Sequence, residues 1–299
     1  MNNRRVCILG GGGFVGHHLA AGLTDAGYLC RVLTRHPQRH RDLQVLPGLE
    51  LRQADIFDAA TLAGQLRDCF AVVNLVGILN ETRGQSFQRL HVDLVDRIID
   101  GAREAGVERY LHMSALHADA AAGTSLYLRT KGEGEDRAHG QTAMGVTSFR
   151  PSVIFGPGDS FFNRFATLLK LTPGVFPLAC PHSRFAPVFV GNVAGAMIAS
   201  LGDESSLGRR FDLCGPRIFT LRELVEYTAE TIGRKTLVLG LNDFASRLQA
   251  RVFQLLPGRP FTMDNYLSMQ THSICDQNAL SGLGIRPTDI GAVVPGYLR

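Results

Sequence analysis

The amino-acid sequence predicts an α/β chain: a doubly wound parallel sheet followed by a smaller, partly interleaved carboxyl-terminal domain. Three observations carry that expectation. Short β-rich runs alternate with helical stretches through the first half, which implies parallel pairing with helices on both faces of a sheet. The first strand leaves through ILGGGGFVG, a glycine-rich turn. After about residue 156 the alternation stops, and Pro157, Pro173, Pro177, Pro181 and Pro187 cut the chain into short pieces.

Taken in order, RRVCILG reads as a strand and FVGHHLAAGLTDAG as a helix ended by Gly27. YLCRVLTR and LELRQAD are the next strands, and CFAVVNLVG is a strand too apolar to face water on either side. SFQRLHVDLVDRIIDGAREAG is a long helix with Leu90, Leu94, Ile98 and Ala102 on one face. RYLHMSA is a strand, SLYLRTKGEGEDRA a helix and GVTSFRPS a further strand. Later, FAPVFVGNVAGAMIASL is a strand feeding a helix, and RRFDLCG a late strand. TLRELVEYTAETIG opens on Thr220 and Glu223, a capping box. In LNDFASRLQARVFQLLPG, Leu241, Phe244, Leu248, Val252 and Leu255 share a face, with Arg247 and Arg251 off it. That stretch reads as a core helix ahead of an interfacial helix on a membrane.

Composition narrows the class. The chain has 299 residues, 45% hydrophobic and 19% charged, which excludes a disordered chain and suits one large α/β unit with a small domain. The net charge of +4 suits an anionic cofactor or membrane surface, and no Lys/Arg stripe interleaved with aromatics argues for nucleic acid. Cysteines stand at 7, 30, 69, 180, 214 and 275 without a CxxC, and read as reduced, packing residues. Arg4 and Arg5 before an apolar stretch imitate a signal peptide, but Gly10 to Gly13 interrupt it, so mature protein is expected from the first residues. No run reaches the roughly 18 apolar residues that span a bilayer. The expected location is cytoplasmic, with a peripheral position on the cytoplasmic face of the inner membrane as the alternative.

The chemistry-bearing residues follow the strand ends. Gly10, Gly13 and Gly16 form GxxGxxG between strand and helix, the arrangement that lets a backbone approach a pyrophosphate held at a helix N-terminus. Gly12, Phe14 and Val15 join them as candidate cofactor contacts. The second strand ends in Leu33, Thr34 and Arg35, where an NAD binder usually carries an acid for the ribose 2′-hydroxyl. An arginine there pairs with a 2′-phosphate, so NADP(H) is expected ahead of NAD(H). Asp55 and Ile56 close the third strand, where an adenine could rest; a helix cap is the bland reading of Asp55. Leu75, Val76 and Gly77 leave the fourth strand, and Pro151 ends the sixth, as further candidate contacts. Ser114, Tyr127 and Lys131 complete a catalytic set: the tyrosine exchanges a proton with a carbonyl as hydride moves, the lysine lowers the phenol pKa and binds ribose, and the serine holds the carbonyl oxygen. Expected bounds are 1–160 for the nucleotide-binding domain, with 187–213 returning to it, and 161–299 for the smaller substrate or partner domain. His36 and His40 have an i,i+4 spacing but sit among arginines after Pro37, so a solvated loop is expected there and no metal.

GGGGFVG, ADIFD, VVNLVG, YLHMSA, YLRTK and FRPSVIFGPGD occur in the order seen in extended or atypical short-chain dehydrogenases/reductases, which the chain resembles. FFNRF, RFAPVFVGNVA and TLRELVEYTAETIGR resemble a narrower branch, that of the NAD(P)H-binding accessory subunit of mitochondrial complex I and its bacterial relatives. The resemblance covers nearly the whole chain. It implies a Rossmann domain, a small carboxyl-terminal domain, bound NADP(H), and links to complex I assembly and quinone metabolism. The chain departs from the wider family at Leu116, near the usual catalytic serine or threonine. It departs again at His91 in place of a structural asparagine, Leu94 in place of a glycine, and Asn192 in place of an aspartate. Two readings follow: an NADPH-dependent carbonyl or quinone-related reductase, or a non-catalytic NADPH-binding protein docked on a respiratory or quinone-making complex. A sugar-nucleotide epimerase is disfavoured, because no motif marks a sugar pocket.

Overall fold

The computed structural model describes residues 4–82, 84–172 and 174–298; the expected break at Pro173 lies outside them. The amino-terminal half alternates β1 (Arg5–Leu9), α1 (Phe14–Asp25), β2 (Leu29–Thr34), β3 (Leu49–Gln53), α2 (Ala59–Leu66), β4 (Ala71–Asn74), α3 (Leu94–Ala105), β5 (Arg109–Met113), α4 (Leu126–Gly140) and β6 (Gly145–Pro151). The second half adds β7 (Ile154–Phe155), α5 (Phe161–Leu171), β8 (Gly174–Leu178), β9 (Arg184–Phe185), β10 (Val188–Phe189) and α6 (Val190–Leu201). It continues through β11 (Arg210–Leu213), β12 (Phe219–Thr220), α7 (Leu221–Thr231), β13 (Thr236–Gly240), α8 (Asp243–Phe253), α9 (Met263–Ser268) and α10 (Ile290–Tyr297).

Seven strands form one parallel sheet in the order β11-β6-β5-β4-β1-β2-β3. Both faces are covered. Val6, Ile8, Val32, Val73 and Leu111 point into a core shared with α1 and α6, and Cys7, Leu9, Val72 and Tyr110 into one shared with α2 and α3. Double burial is why β4 carries no polar alternation. The chain crosses from β3 on one side to β4 on the other, so β1 and β4 are neighbours at a switch point where a crevice opens beyond the strand ends. Register aligns Leu9 with both Leu33 and Asn74, and Asn74 with His112. The exits of these four strands therefore share one edge.

The long predicted helix has two parts. Gln88–Asp93 winds as a π-helix before α3, which brings Leu90, His91 and Val92 inward as three consecutive buried residues. Thr220 and Glu223 form the reciprocal capping box expected of α7. Outside the sheet, short strands pair as β7 with β10, β9 with β12, and β8 with β13.

Two expectations are corrected. Cys214 and Cys275 form a disulfide across a separation of 61 residues, so those two are not free packing thiols. The helix from Asp243 to Phe253 is not a core helix: Phe244 is 76% and Leu248 52% exposed, and the buried side carries Ser246 and Ala250. Among the described residues no helix is long and apolar enough to cross a membrane.

Candidate functional site

The glycine turn shapes one wall of the site. Gly10 has φ +78°, a region open to glycine at no steric cost, and an added Cβ would stand 3.1 Å from the Val76 amide nitrogen. At Gly16 a Cβ would meet the Gly10 carbonyl oxygen at 2.6 Å, so only glycine lets α1 start this close to the turn. The α1 N-terminus has no side-chain cap and no acid in its first turn, which leaves its amides and partial positive charge for an anion. These features fit a dinucleotide pyrophosphate. Phe14 packs edge-on against His18, whose Nε2 lies 3.1 Å from the Pro157 carbonyl, so the 156–158 loop borders the same helix end. The His40 ring stands where a Gly12 Cβ would be 2.7 Å away, and His17 Nε2 lies 2.9 Å from Asp42. His40 is thus packed on the glycine turn, not free in a solvated loop. The sequence carried no cue for it beyond its basic neighbours.

The other strand exits complete the crevice. Thr34 accepts from the His36 amide at 3.2 Å, and Arg35 is exposed beside it. Asp55 is exposed and accepts from the Phe57 amide at 3.0 Å, while Asp58 caps α2 through Thr61 at 2.8 Å. Asp55 is therefore a turn former and not the cap, and Ile56 packs on the core beneath. Asn74 folds the β4 exit by accepting from Val76 at 3.1 Å, and Leu75 donates to Leu9 at 3.0 Å. A Cβ on Gly77 would lie 3.7 Å from His91 Nε2 and 3.8 Å from Lys131 Nζ, which ties this exit to α4. Pro151 is buried, its carbonyl accepting from Leu116 at 3.1 Å.

Helix α4 starts at Ser125, whose hydroxyl accepts from Leu128 at 3.1 Å. It presses so tightly on the π-helix that a Cβ on Gly134 would overlap the His91 carbonyl. His91 accepts from the Ile78 amide at 3.2 Å through Nε2, so Nδ1 carries the proton and donates to Thr130 at 3.0 Å. Burial, with the charge of Lys131, holds its pKa down at about 3, and the ring is a neutral wedge between β4 and α4. Tyr127 packs edge-on against Phe87 and His91, with ring centroids 5.9 and 5.6 Å away. Lys131 is buried and its ammonium donates to the Met113 carbonyl at the end of β5.

The electrostatics differ from expectation in two places. The Tyr127 phenol is not lowered: burial, then the Asp264 charge, push it up to about 12, and Lys131 does not offset them. Lys131 itself falls to about 8 through burial, opposed by Glu135. Ser114 is buried and its hydroxyl donates to Glu135 at 2.9 Å, which turns its proton away from any substrate carbonyl. Glu135 is fully buried; it also accepts from Arg150 Nε at 2.9 Å and lies 3.4 Å from Arg210 Nε. Burial still raises its pKa against those arginines. Nothing in GEGE marked this anchor.

The carboxyl-terminal segment closes over α4. Asp264 accepts from the Leu126 amide at 2.7 Å and the Tyr127 amide at 3.3 Å. Asn265 donates to Leu79 at 3.1 Å and Arg259 to Glu81 at 2.9 Å. Beside it a surface cavity of about 350 Å³ is lined by His117, Asp119, Thr124, Arg150 and Thr271, among others.

Similarity to known proteins agrees with this geometry. Residues 10–143 match a family model described as NAD(P)H-binding, and residues 130–205 one described as the 3-beta hydroxysteroid dehydrogenase/isomerase family. Subunit 9 of the mitochondrial NADH dehydrogenase [ubiquinone] 1 alpha subcomplex from Mus musculus is 28% identical over 295 residues, 95% of this chain and 76% of that protein. A ceramide reductase from Caulobacter vibrioides is 31% identical over 199 residues, 65% of this chain and 60% of its own length. A solved NADPH-dependent quinone oxidoreductase from Escherichia coli, complexed with NADPH, superposes with a TM-score of 0.78 at 19% identity, over 98% of this chain and 99% of that one.

Proposed function

We propose that this chain, whose residues 10–143 match a family model described as NAD(P)H-binding and whose sheet has a Rossmann topology, is an NADPH-dependent reductase of a lipid-like or quinone-related carbonyl. The observation that carries the reading is the meeting of Gly77, Lys131 and His91 beyond the β4–β1 switch point, with Tyr127 packed on His91, beside a glycine turn that leaves α1 uncapped. NADPH, when bound, would supply the hydride. Arg35 would take the 2′-phosphate, which sets NADP(H) ahead of NAD(H). Lys131 would bind the nicotinamide ribose. Tyr127 gives its phenolic proton to the carbonyl oxygen as the carbon gains hydride, and a solvent proton restores the phenol. With a pKa of about 12 the phenol stays protonated at neutral pH, which suits a proton donor to a nascent alkoxide better than a base for the reverse step. Ser114, turned onto Glu135, positions the β5 exit and does not hold the carbonyl.

The ceramide reductase and the quinone oxidoreductase support the substrate class. The test is NADPH oxidation, followed by nicotinamide absorbance, against quinones and keto-lipids. Turnover that vanishes in Tyr127→Phe while NADPH affinity stays unchanged is expected; equal turnover in the variant would overturn the role.

A second reading has its own support. The respiratory relative matches almost the whole chain, and the segment around Asp264 closes over Tyr127. On that reading the protein binds NADPH without turnover and docks on a respiratory or quinone-making complex. Recovery of a subunit of such a complex by pull-down, with no substrate-dependent NADPH oxidation, is what it requires.

A further inference from the structure

The surface next to α9, which itself sits over Tyr127, carries a feature that the reductase reading does not use. Helix α8 is amphipathic with its apolar stripe outward. Phe244, Leu248 and Val252 are 76, 52 and 49% exposed at intervals of four residues, and Leu255 in the turn after the helix is 82% exposed. The inward side, Ser246 and Ala250, is too small to need an apolar stripe for packing. The strand that feeds α8 behaves alike. In the β8–β13 pair, Phe176, Leu178 and Val238 face the core, while Val175, Leu237 and Leu239 are 50, 66 and 51% exposed. Val175 and Leu237 are direct cross-strand neighbours. Gln249 of α8 donates to the Pro177 carbonyl at 3.3 Å, which holds helix and strand pair side by side. Scattered apolar residues are ordinary on a surface; seven from α8, the turn after it and the adjoining strand pair are not.

The segments that build this face carry more basic than acidic side chains, although α7, packed against β13, adds exposed Glu226 and Glu230. Residues 164–181 contain no acid, and 234–260 contain Asp243 alone, already paired with Arg247 at 3.0 Å. Lys170, Arg234, Lys235 and Arg251 are exposed. None of these four has an ion-pair partner among the described residues. An aliphatic and phenylalanine ridge flanked by long basic side chains matches an interfacial helix, whose apolar residues enter the acyl boundary while lysine and arginine reach the headgroups. Self-association through the same face would set these cations against their copies.

We propose that α8 and the β8–β13 pair form a docking face for an anionic lipid surface. The inference does not depend on catalysis. It also accounts for the placement of α9: the chain passes from this face through Arg259, anchored on Glu81, to Asp264 over Tyr127. A bilayer-borne molecule would therefore meet the crevice along one continuous stretch of chain.

The test is co-sedimentation of the full chain with vesicles of phosphatidylcholine alone and of phosphatidylcholine with phosphatidylglycerol. Binding is expected on the anionic vesicles and not on the neutral ones, weakening as salt is raised. Leu248→Asp with Leu255→Asp should abolish it. Arg251→Ala or Lys235→Ala should each lower the partition coefficient about fivefold. All four positions are exposed, so thermal melting and NADPH affinity should match the parent. Absence of binding, or binding unchanged by the aspartates, would overturn the proposal. So would a dimer in sedimentation that the aspartates convert to monomer, which would assign the face to a second copy.

Discussion

The nucleotide half and the carboxyl-terminal half of this molecule are built on different terms. In the first, one parallel sheet delivers four strand exits to a single edge, and the key contacts come from backbone at Gly10, Gly16 and Gly77. In the second, three two-stranded pairs and short helices place side chains over that edge: Asp264 on the α4 amides, Arg259 on Glu81, Asn265 on Leu79. A backbone site constrains residue type locally, because a Cβ either fits or does not. A side-chain lid is assembled from positions more than a hundred residues apart, and its substrate chemistry is correspondingly free to change.

The comparison can be broken first at its join. Tyr127 lies where the halves meet, and Tyr127→Phe should lower turnover about 10²- to 10⁴-fold while sparing NADPH binding; steady-state rates and NADPH titration check both. Gly16→Val acts inside the first half alone. Overpacking against the Gly10 carbonyl should cost about 1–3 kcal/mol of stability, read from denaturant melts, together with measurable NADPH binding. Arg35→Ala sharpens the assignment within that half: NADPH should weaken roughly 10- to 100-fold with NADH little changed. Equal losses for both would remove the 2′-phosphate role.

The smallest effect is a pH dependence. Lys131 has a folded pKa of about 8 against its usual 10.5, so between those values the unfolded chain binds more protons. Stability without cofactor should therefore rise with pH from 8 toward 10, by about 1.4 kcal/mol per unit at most. Lys131→Met should lose that rise. Above 10 the raised Tyr127 pKa works the other way, because the unfolded phenol ionises first. Melting temperatures of parent and variant between pH 8 and 10 decide it.

Legibility in the sequence divides along the same line. The glycine turn, the alternation of strands and helices through β6 and the placing of Tyr127 and Lys131 on one helix are local patterns, and local patterns survive reading one chain. The pairing of Ser114 with Glu135 and Arg150 is not local, so an adjacent serine looked catalytic while its proton goes to a buried carboxylate. His91 was visible as a departure from the family, but its work between Ile78 and Thr130 depends on a π-helix that a 3.6-residue period conceals. Helix α8 shows a subtler failure. Its periodicity was correct, yet periodicity gives an apolar stripe and not the side that is buried. Asn192, read as a lost aspartate, donates to the Arg286 carbonyl and accepts from Thr288, a pair of bonds a carboxylate could not make. The Cys214–Cys275 bond had no spacing that could announce it.

In the proposed reaction NADPH, when bound, would give hydride to a carbonyl that Tyr127 protonates. The direct measurement is mass spectrometry of products after incubating the protein with host lipid extract and NADPH deuterated at the transferable position. A protein-dependent deuterated alcohol or quinol that disappears with Tyr127→Phe is the expected result. Bound NADPH with no label in any product, from lipid or polar fractions, would contradict it and leave the non-catalytic docking protein as the reading to pursue.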